Sequence, residues 1–161
     1  MISREKYLAD LQCWKDKDVI KVITGVRRCG KSTLMEQWKA RLRASGIGAE
    51  RIIHINLEMM ENEPLLEYHA LHDAVLSRCT GDAMHYVLLD EVQNVPDFQK
   101  AIDSLYVRPN IDLYITGSNA QLLSGTLATL LSGRYVEIKM LPFSFSEYAE
   151  AHKGEGSQTR L

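Results

Sequence analysis

Residues Gly25-Val26-Arg27-Arg28-Cys29-Gly30-Lys31-Ser32 have the spacing G-x-x-x-x-G-K-[ST] of a phosphate-binding loop. The apolar run Val19 to Thr24 leads into them, and a helical pattern follows. In that context the backbone N–H groups from Gly25 to Thr33 and a helix N-terminus form a concavity for polyphosphate. Lys31 is expected to reach the β- and γ-phosphates, and Ser32 to offer its hydroxyl to Mg2+. Cys29 lies inside that cradle, where a modified thiol would block nucleotide; as a small loop residue it needs no redox role.

A second set lies about 60 residues on. Tyr86-Val87-Leu88-Leu89-Asp90-Glu91 is an apolar run that ends in two acids. Asp90 is expected to hold the metal that Ser32 touches, and Glu91 to polarise the attacking water. A third run, Leu113-Tyr114-Ile115-Thr116-Gly117-Ser118-Asn119, ends in small polar side chains. Ser118 or Asn119 could sense the γ-phosphate, with Thr116 behind them; both could equally cap a following helix. Arg134, in Ser132-Gly133-Arg134, could neutralise transition-state charge as an arginine finger or form a surface ion pair. Arg27 and Arg28 could touch phosphate or a neighbouring subunit. Asn56 is either a turn former or a restraint on Glu91, and His54 reads as packing.

These groups need elements to hold them. Apolar runs at Val19–Thr24, Arg51–Leu57, His85–Asp90, Ile111–Thr116 and Tyr135–Leu141 read as strands. Helical patterns run from Ile2 to Leu11, from Lys31 to Ala44, from Pro64 to about Cys79 and from Pro96 onward. Two more are expected at Asn119–Leu131 and Phe143–Ala151. Strands alternating with amphipathic helices describe an α/β fold, a mainly parallel sheet covered on both faces. In such sheets ligands bind outside the carboxyl ends of the strands, where each candidate above falls. Residues 1–152 read as one domain and 153–161 as a flexible polar tail.

The 161 residues suffice for one core, and 45% apolar with 25% charged residues is ordinary for a soluble domain. No apolar run approaches a membrane span, and the three cysteines suggest no disulfide framework, so the expected setting is cytoplasmic. The net charge of −2 hides an asymmetry: residues 1–51 hold 12 Lys/Arg against 6 Asp/Glu. That basic third could meet nucleic acid, or could serve phosphate and one solvated helix face.

Several stretches together resemble a known family: Ile23 to Leu34, Leu89-Asp90-Glu91-Val92-Gln93, Ile115 to Ala120, Leu131 to Tyr135, and Leu141-Pro142-Phe143-Ser144-Phe145. They resemble the bacterial and archaeal AAA-type ATPases that carry a C-terminal nuclease-like domain. The resemblance implies a RecA-like three-layer core of the additional-strand class, with strand order 5-1-4-3-2 and ATP as nucleotide. It carries over a Walker A role for Lys31 and Ser32, a Walker B role for Asp90 and Glu91, a sensor role for Ser118-Asn119, and a functional Arg134. Members are usually more than twice this long. The expectation is that only the N-terminal ATPase core is present here, with weak turnover.

Three functions remain open at this level. The chain could be an Mg2+-dependent ATPase that forms a homo-oligomer through Arg134. It could be a nucleotide-gated module that presents a surface to a protein or nucleic-acid partner. The phosphate loop alone would also suit a nucleotide kinase or GTPase, although no Asn-Lys-x-Asp guanine-reading motif occurs.

Overall fold

The computed structural model describes residues 4–118, 122, 129, 131, 133–143, 147 and 149. Five strands form one parallel sheet: β1 (Ile20–Thr24), β2 (Ile52–Asn56), β3 (His85–Asp90), β4 (Ile111–Gly117) and β5 (Tyr135–Lys139). Their order is β2-β3-β4-β1-β5, the expected 5-1-4-3-2 read from the other edge. Every residue of β1, β3 and β4 is buried, which is why those strands read as continuous apolar runs rather than alternating ones.

The alternation is between two apolar layers. Ile53, Ile55, Val87, Leu89, Leu113 and Ile115 face the layer that includes α3 (Tyr68–Arg78) and α4 (Phe98–Tyr106). Ile52, Tyr86, Leu88 and Tyr114 face the other, with Leu34, Met35 and Trp38 of α2 (Lys31–Ala44) and Tyr7, Leu8 and Leu11 of α1 (Glu5–Trp14). Strand residues two apart thus share a layer.

Three helices begin elsewhere than expected, among them α4, which starts at Phe98 rather than at Pro96. Pro64 lies in a 3-10 turn, Met60–Leu65, and the helix proper starts at Tyr68. The Glu67 carboxylate accepts from the N–H groups of His69 (3.0 Å) and Ala70 (2.9 Å). It satisfies two donors that a helix start leaves orphaned, so the cap rather than the proline sets the boundary. The helix expected over Ile2–Leu11 runs instead from Glu5 to Trp14. Most of the expected helices at 119–131 and 143–151, and all of the 153–161 tail, lie outside the described residues.

Lys21 and Asp112 form an ion pair on neighbouring strands, fully buried beneath α2 and α1. The Tyr114 hydroxyl donates to Asp112 Oδ2 at 2.7 Å, and the Asp16 N–H donates to the same oxygen at 3.0 Å. Burial, reinforced by Asp112, pushes the Tyr114 phenol far above its ordinary range. Tyr86 is raised too, by burial and by its bond to Asp16. Each partner in this network is hydrogen-bonded, the condition for charge to be tolerated in a core.

Candidate nucleotide site

The loop between β1 and α2 turns through two left-handed residues, Arg28 at φ 65° and Gly30 at φ 97°. Gly25 is closely enclosed: a Cβ there would lie 2.6 Å from Cys29 Sγ and 2.9 Å from the Met140 carbonyl oxygen. Cys29 is buried and packs inward, whereas Val26, Arg27 and Arg28 stand exposed. Lys31 Nζ donates to the carbonyls of Gly25 (3.0 Å) and Val26 (3.2 Å) and lies 3.5 Å from Glu91 Oε1. The outer side of the loop is a cleft of about 450 Å³ whose walls include Arg27, Arg28, Ser32, Thr33, Glu58 and Glu91.

Thr116 fastens the acid pair. Its hydroxyl donates to Asp90 Oδ1 and accepts from the Glu91 N–H at 3.0 Å. Asp90 is fully buried, and its Oδ2 has no partner among the described residues. Glu91 adopts φ 57°, a left-handed conformation that non-glycine residues seldom take and that turns the chain sharply at the strand's end.

Gln93 was not singled out by its sequence, yet it binds Glu91 directly. Its Nε2 donates to Glu91 Oε2, while its Oε1 lies against Gly117, where any Cβ would collide with it. Asn56, the residue expected to restrain Glu91, does not do so. Its Oδ1 accepts from the Glu58 N–H at 3.0 Å, and its carbonyl accepts from Asn62 Nδ2 at 2.8 Å, so it folds the turn after β2.

Ser118 follows β4, and its carbonyl accepts from the Leu122 N–H at 2.9 Å, the pattern of a helical turn. Asn119 lies outside the described residues. Arg134 precedes β5, and its carbonyl accepts from the Ile20 N–H at the opposite end of β1 from the loop. Five residues of strand separate the two levels, roughly 16 Å, too far for its side chain to reach its own phosphate loop. The guanidinium pairs at the surface with Asp103, 2.8 Å away.

His54 projects from β2 toward α2, with its Nδ1 3.2 Å from Glu36 Oε1. Burial lowers its pKa against the opposing pull of Glu36 and Asp90. Arg4 was also missed. It is buried, donates to the Leu141 carbonyl at 2.6 Å, and stacks 4.5 Å from the Phe143 ring centre. A single arginine ahead of a helix carries no sequence signal for such a contact.

With β4 inserted between the loop strand β1 and the acid strand β3, this is a P-loop NTPase core of the additional-strand class. Residues 17–149 match the AAA domain family, and the chain belongs to it. ATP binding and hydrolysis are the activities of such cores at the family level. The chain is 48% identical over 162 residues to an uncharacterised protein of Haemophilus influenzae, covering 100% of this chain and 40% of that protein. It is 32% identical over 134 residues to an uncharacterised protein of Methanocaldococcus jannaschii, covering 80% of this chain and 28% of that one. The chain therefore spans less than half the length of these curated relatives.

Solved structures share the fold. Cdc6p from Pyrobaculum aerophilum superposes with a TM-score of 0.64 at 14% identity, over 92% of this chain and 48% of that one. A DNA polymerase III gamma subunit-related protein from Thermotoga maritima gives 0.69 at 12% identity, over 94% and 51%. Drosophila ORC bound to AT-rich DNA and Cdc6 gives 0.57 at 11% identity, over 98% and 63%. Among the described residues no helix is long and apolar enough to cross a membrane.

Proposed function

We propose that this chain is an Mg2+-dependent ATPase that hydrolyses the β–γ bond of ATP. The observation that carries the reading is the approach of Lys31 Nζ to Glu91 Oε1, 3.5 Å apart at one cleft beside the loop. A cation for the phosphates and a carboxylate for the water are thereby held at one place by different elements, Lys31 at the start of α2 and Glu91 just after β3. The backbone donors of Gly25 to Thr33 and Lys31 bind the phosphates, with the exposed Arg27 and Arg28 at the rim. Glu91 accepts a proton from the attacking water, while Ser118 and Asn119 hold that water or the γ-phosphate.

The residues present fit a divalent cation. Ser32 and Asp90, whose buried Oδ2 has no partner among the described residues, offer hard oxygen donors at one cavity. When bound there, Mg2+ would neutralise charge on the β- and γ-phosphate oxygens. Arg134 is read as acting on a neighbouring subunit's nucleotide, since its own loop is out of reach. The basic first third leaves room for a nucleic-acid or protein partner, as in the DNA-bound ORC assembly that shares the fold.

The test is ATP titration by calorimetry with Mg2+ on wild type, Lys31→Ala and Glu91→Gln, with phosphate release followed on the same samples. Binding lost in Lys31→Ala and release lost in Glu91→Gln are expected. Release equal in wild type and Glu91→Gln would remove the hydrolase reading. A second reading, a nucleotide-gated module with little turnover, is favoured by one feature: both Glu91 carboxylate oxygens already face partners, Lys31 and Gln93. Tight binding without release would select it.

A further inference from the structure

Between α2 and the ends of β2 and β3 lies a cavity of about 420 Å³, walled in part by Ser32, Glu36, Lys39, His54, Asn62 and Asp90. Two of its polar atoms are buried and have no partner among the described residues: Asp90 Oδ2 and His54 Nε2. The His54 side chain is 8% exposed and that of Asp90 belongs to a residue with no exposure at all. Leaving a buried polar atom unsatisfied is costly, so the pair calls for a ligand.

Its chemistry follows from Glu36. A carboxylate oxygen only accepts, so at 3.2 Å the His54 Nδ1 must carry the proton that joins them. In the neutral ring that fixes the tautomer and leaves the Nε2 lone pair as an acceptor. Asp90 Oδ2 is an acceptor as well. The Lys39 ammonium shares the wall but bonds neither atom. Two buried acceptors on residues that line one polar cavity suit a ligand that only donates, and the waters around a divalent cation are such donors.

The backbone places these groups by design of register. Asn56 pairs with Asp90 across β2 and β3, which sets His54 diagonal to Asp90 on the face turned to α2. On α2, Ser32 and Glu36 are four residues apart and therefore on one side of the helix. Among the described residues no group of three or more His, Cys, Asp or Glu side chains could ligate a metal directly.

We propose that the Glu36–His54 pair belongs to the cation site, His54 Nε2 accepting a hydrogen bond from water on the divalent ion that Ser32 and Asp90 hold. This rests on the Mg2+ reading above and adds a residue pair to it. Such partners typically change metal affinity by 10–100-fold when lost.

The experiment reads binding rather than turnover. Mn2+ is titrated into the ADP complex and its free signal followed by electron paramagnetic resonance, for wild type, His54→Leu, His54→Gln, Glu36→Ala and Asp90→Asn. ADP affinity is measured in parallel with chelator present. His54→Leu is expected to weaken Mn2+ about tenfold and leave chelated ADP binding unchanged. His54→Gln, whose amide oxygen still accepts, should retain most of the affinity. Glu36→Ala changes an exposed residue and keeps the fold should the leucine variant lose it; it should weaken Mn2+ in the same direction. Mn2+ affinity unchanged in both His54→Leu and Glu36→Ala, but lost in Asp90→Asn, overturns the role of His54 and spares the cation reading. Affinity indifferent to Asp90→Asn overturns both.

Discussion

Gln93 and Glu91 form a closed pair two residues apart: the amide of one donates to a carboxylate oxygen of the other across a left-handed backbone turn. The bond occupies a lone pair on the carboxylate oxygen that a water molecule would need. Gln93→Ala is therefore expected to raise kcat for phosphate release a few-fold, below the tenfold that about 1.4 kcal/mol would supply, with KM unchanged. Steady-state kinetics decides it. A fall in kcat would instead make Gln93 an aligner of Glu91.

The loop makes two separable demands. Lys31→Ala removes a charged donor and should weaken ATP binding by about tenfold or more in calorimetry. Gly30→Ala tests backbone alone, because the space around a Cβ there is open while φ is 97°. That substitution should lower stability by about 1–2 kcal/mol in thermal unfolding.

Lys21 and Asp112 should be costly to separate. Removing one partner, as in Asp112→Ala, strands a buried charge and should cost about 3–5 kcal/mol in denaturant unfolding. Replacing both, as in Lys21→Met with Asp112→Leu, should recover much of the loss. Additive losses in the double variant would show that the pair is not coupled.

Alkaline pH should unfold the chain through its tyrosines. Tyr114 and Tyr86 have phenols raised above the ordinary value of about 10, so the unfolded state releases their protons first. Their contribution is complete below pH of about 10 and is lost as pH rises beyond it. Phenolate absorbance is expected to show these two groups ionising together with unfolding. Ionisation well before the loss of circular dichroism would contradict that linkage.

If Arg134 serves a neighbouring subunit, specific ATPase activity should rise with protein concentration in wild type and stay flat in Arg134→Ala. Asp103→Ala removes only the surface partner, whose pairing contributes about 0–1 kcal/mol, and should keep the dependence. Flat wild-type activity across the range would leave Arg134 as a surface ion pair.

Much of the architecture was legible because it is written locally. The phosphate loop is a contiguous run, and the buried strands are apolar stretches bounded by turn residues. Strand order came from the family resemblance, since periodicity alone does not say that β4 lies between β1 and β3. The Glu91 restraint was sought at Asn56, which sits beside Asp90 in register, but its amide serves the turn to Glu58 and Asn62. Gln93 reaches Glu91 across a turn in which Glu91 takes a positive φ, a backbone state that no residue type announces. His54 and Glu36 meet across a strand and a helix, and a histidine in an apolar run reads first as packing.

The seat of Gln93 also couples two positions in inheritance. A methyl group at Gly117 would strike Gln93 Oε1 and come within 2.6 Å of Leu122 Cγ. Position 117 is closed to every larger residue while position 93 carries glutamine. A lineage that shortens the side chain at 93 removes one of the two obstacles at 117, and Leu122 must also give way before alanine or serine fits there. The two positions should therefore drift as a unit, with Leu122 as the third party to any exchange.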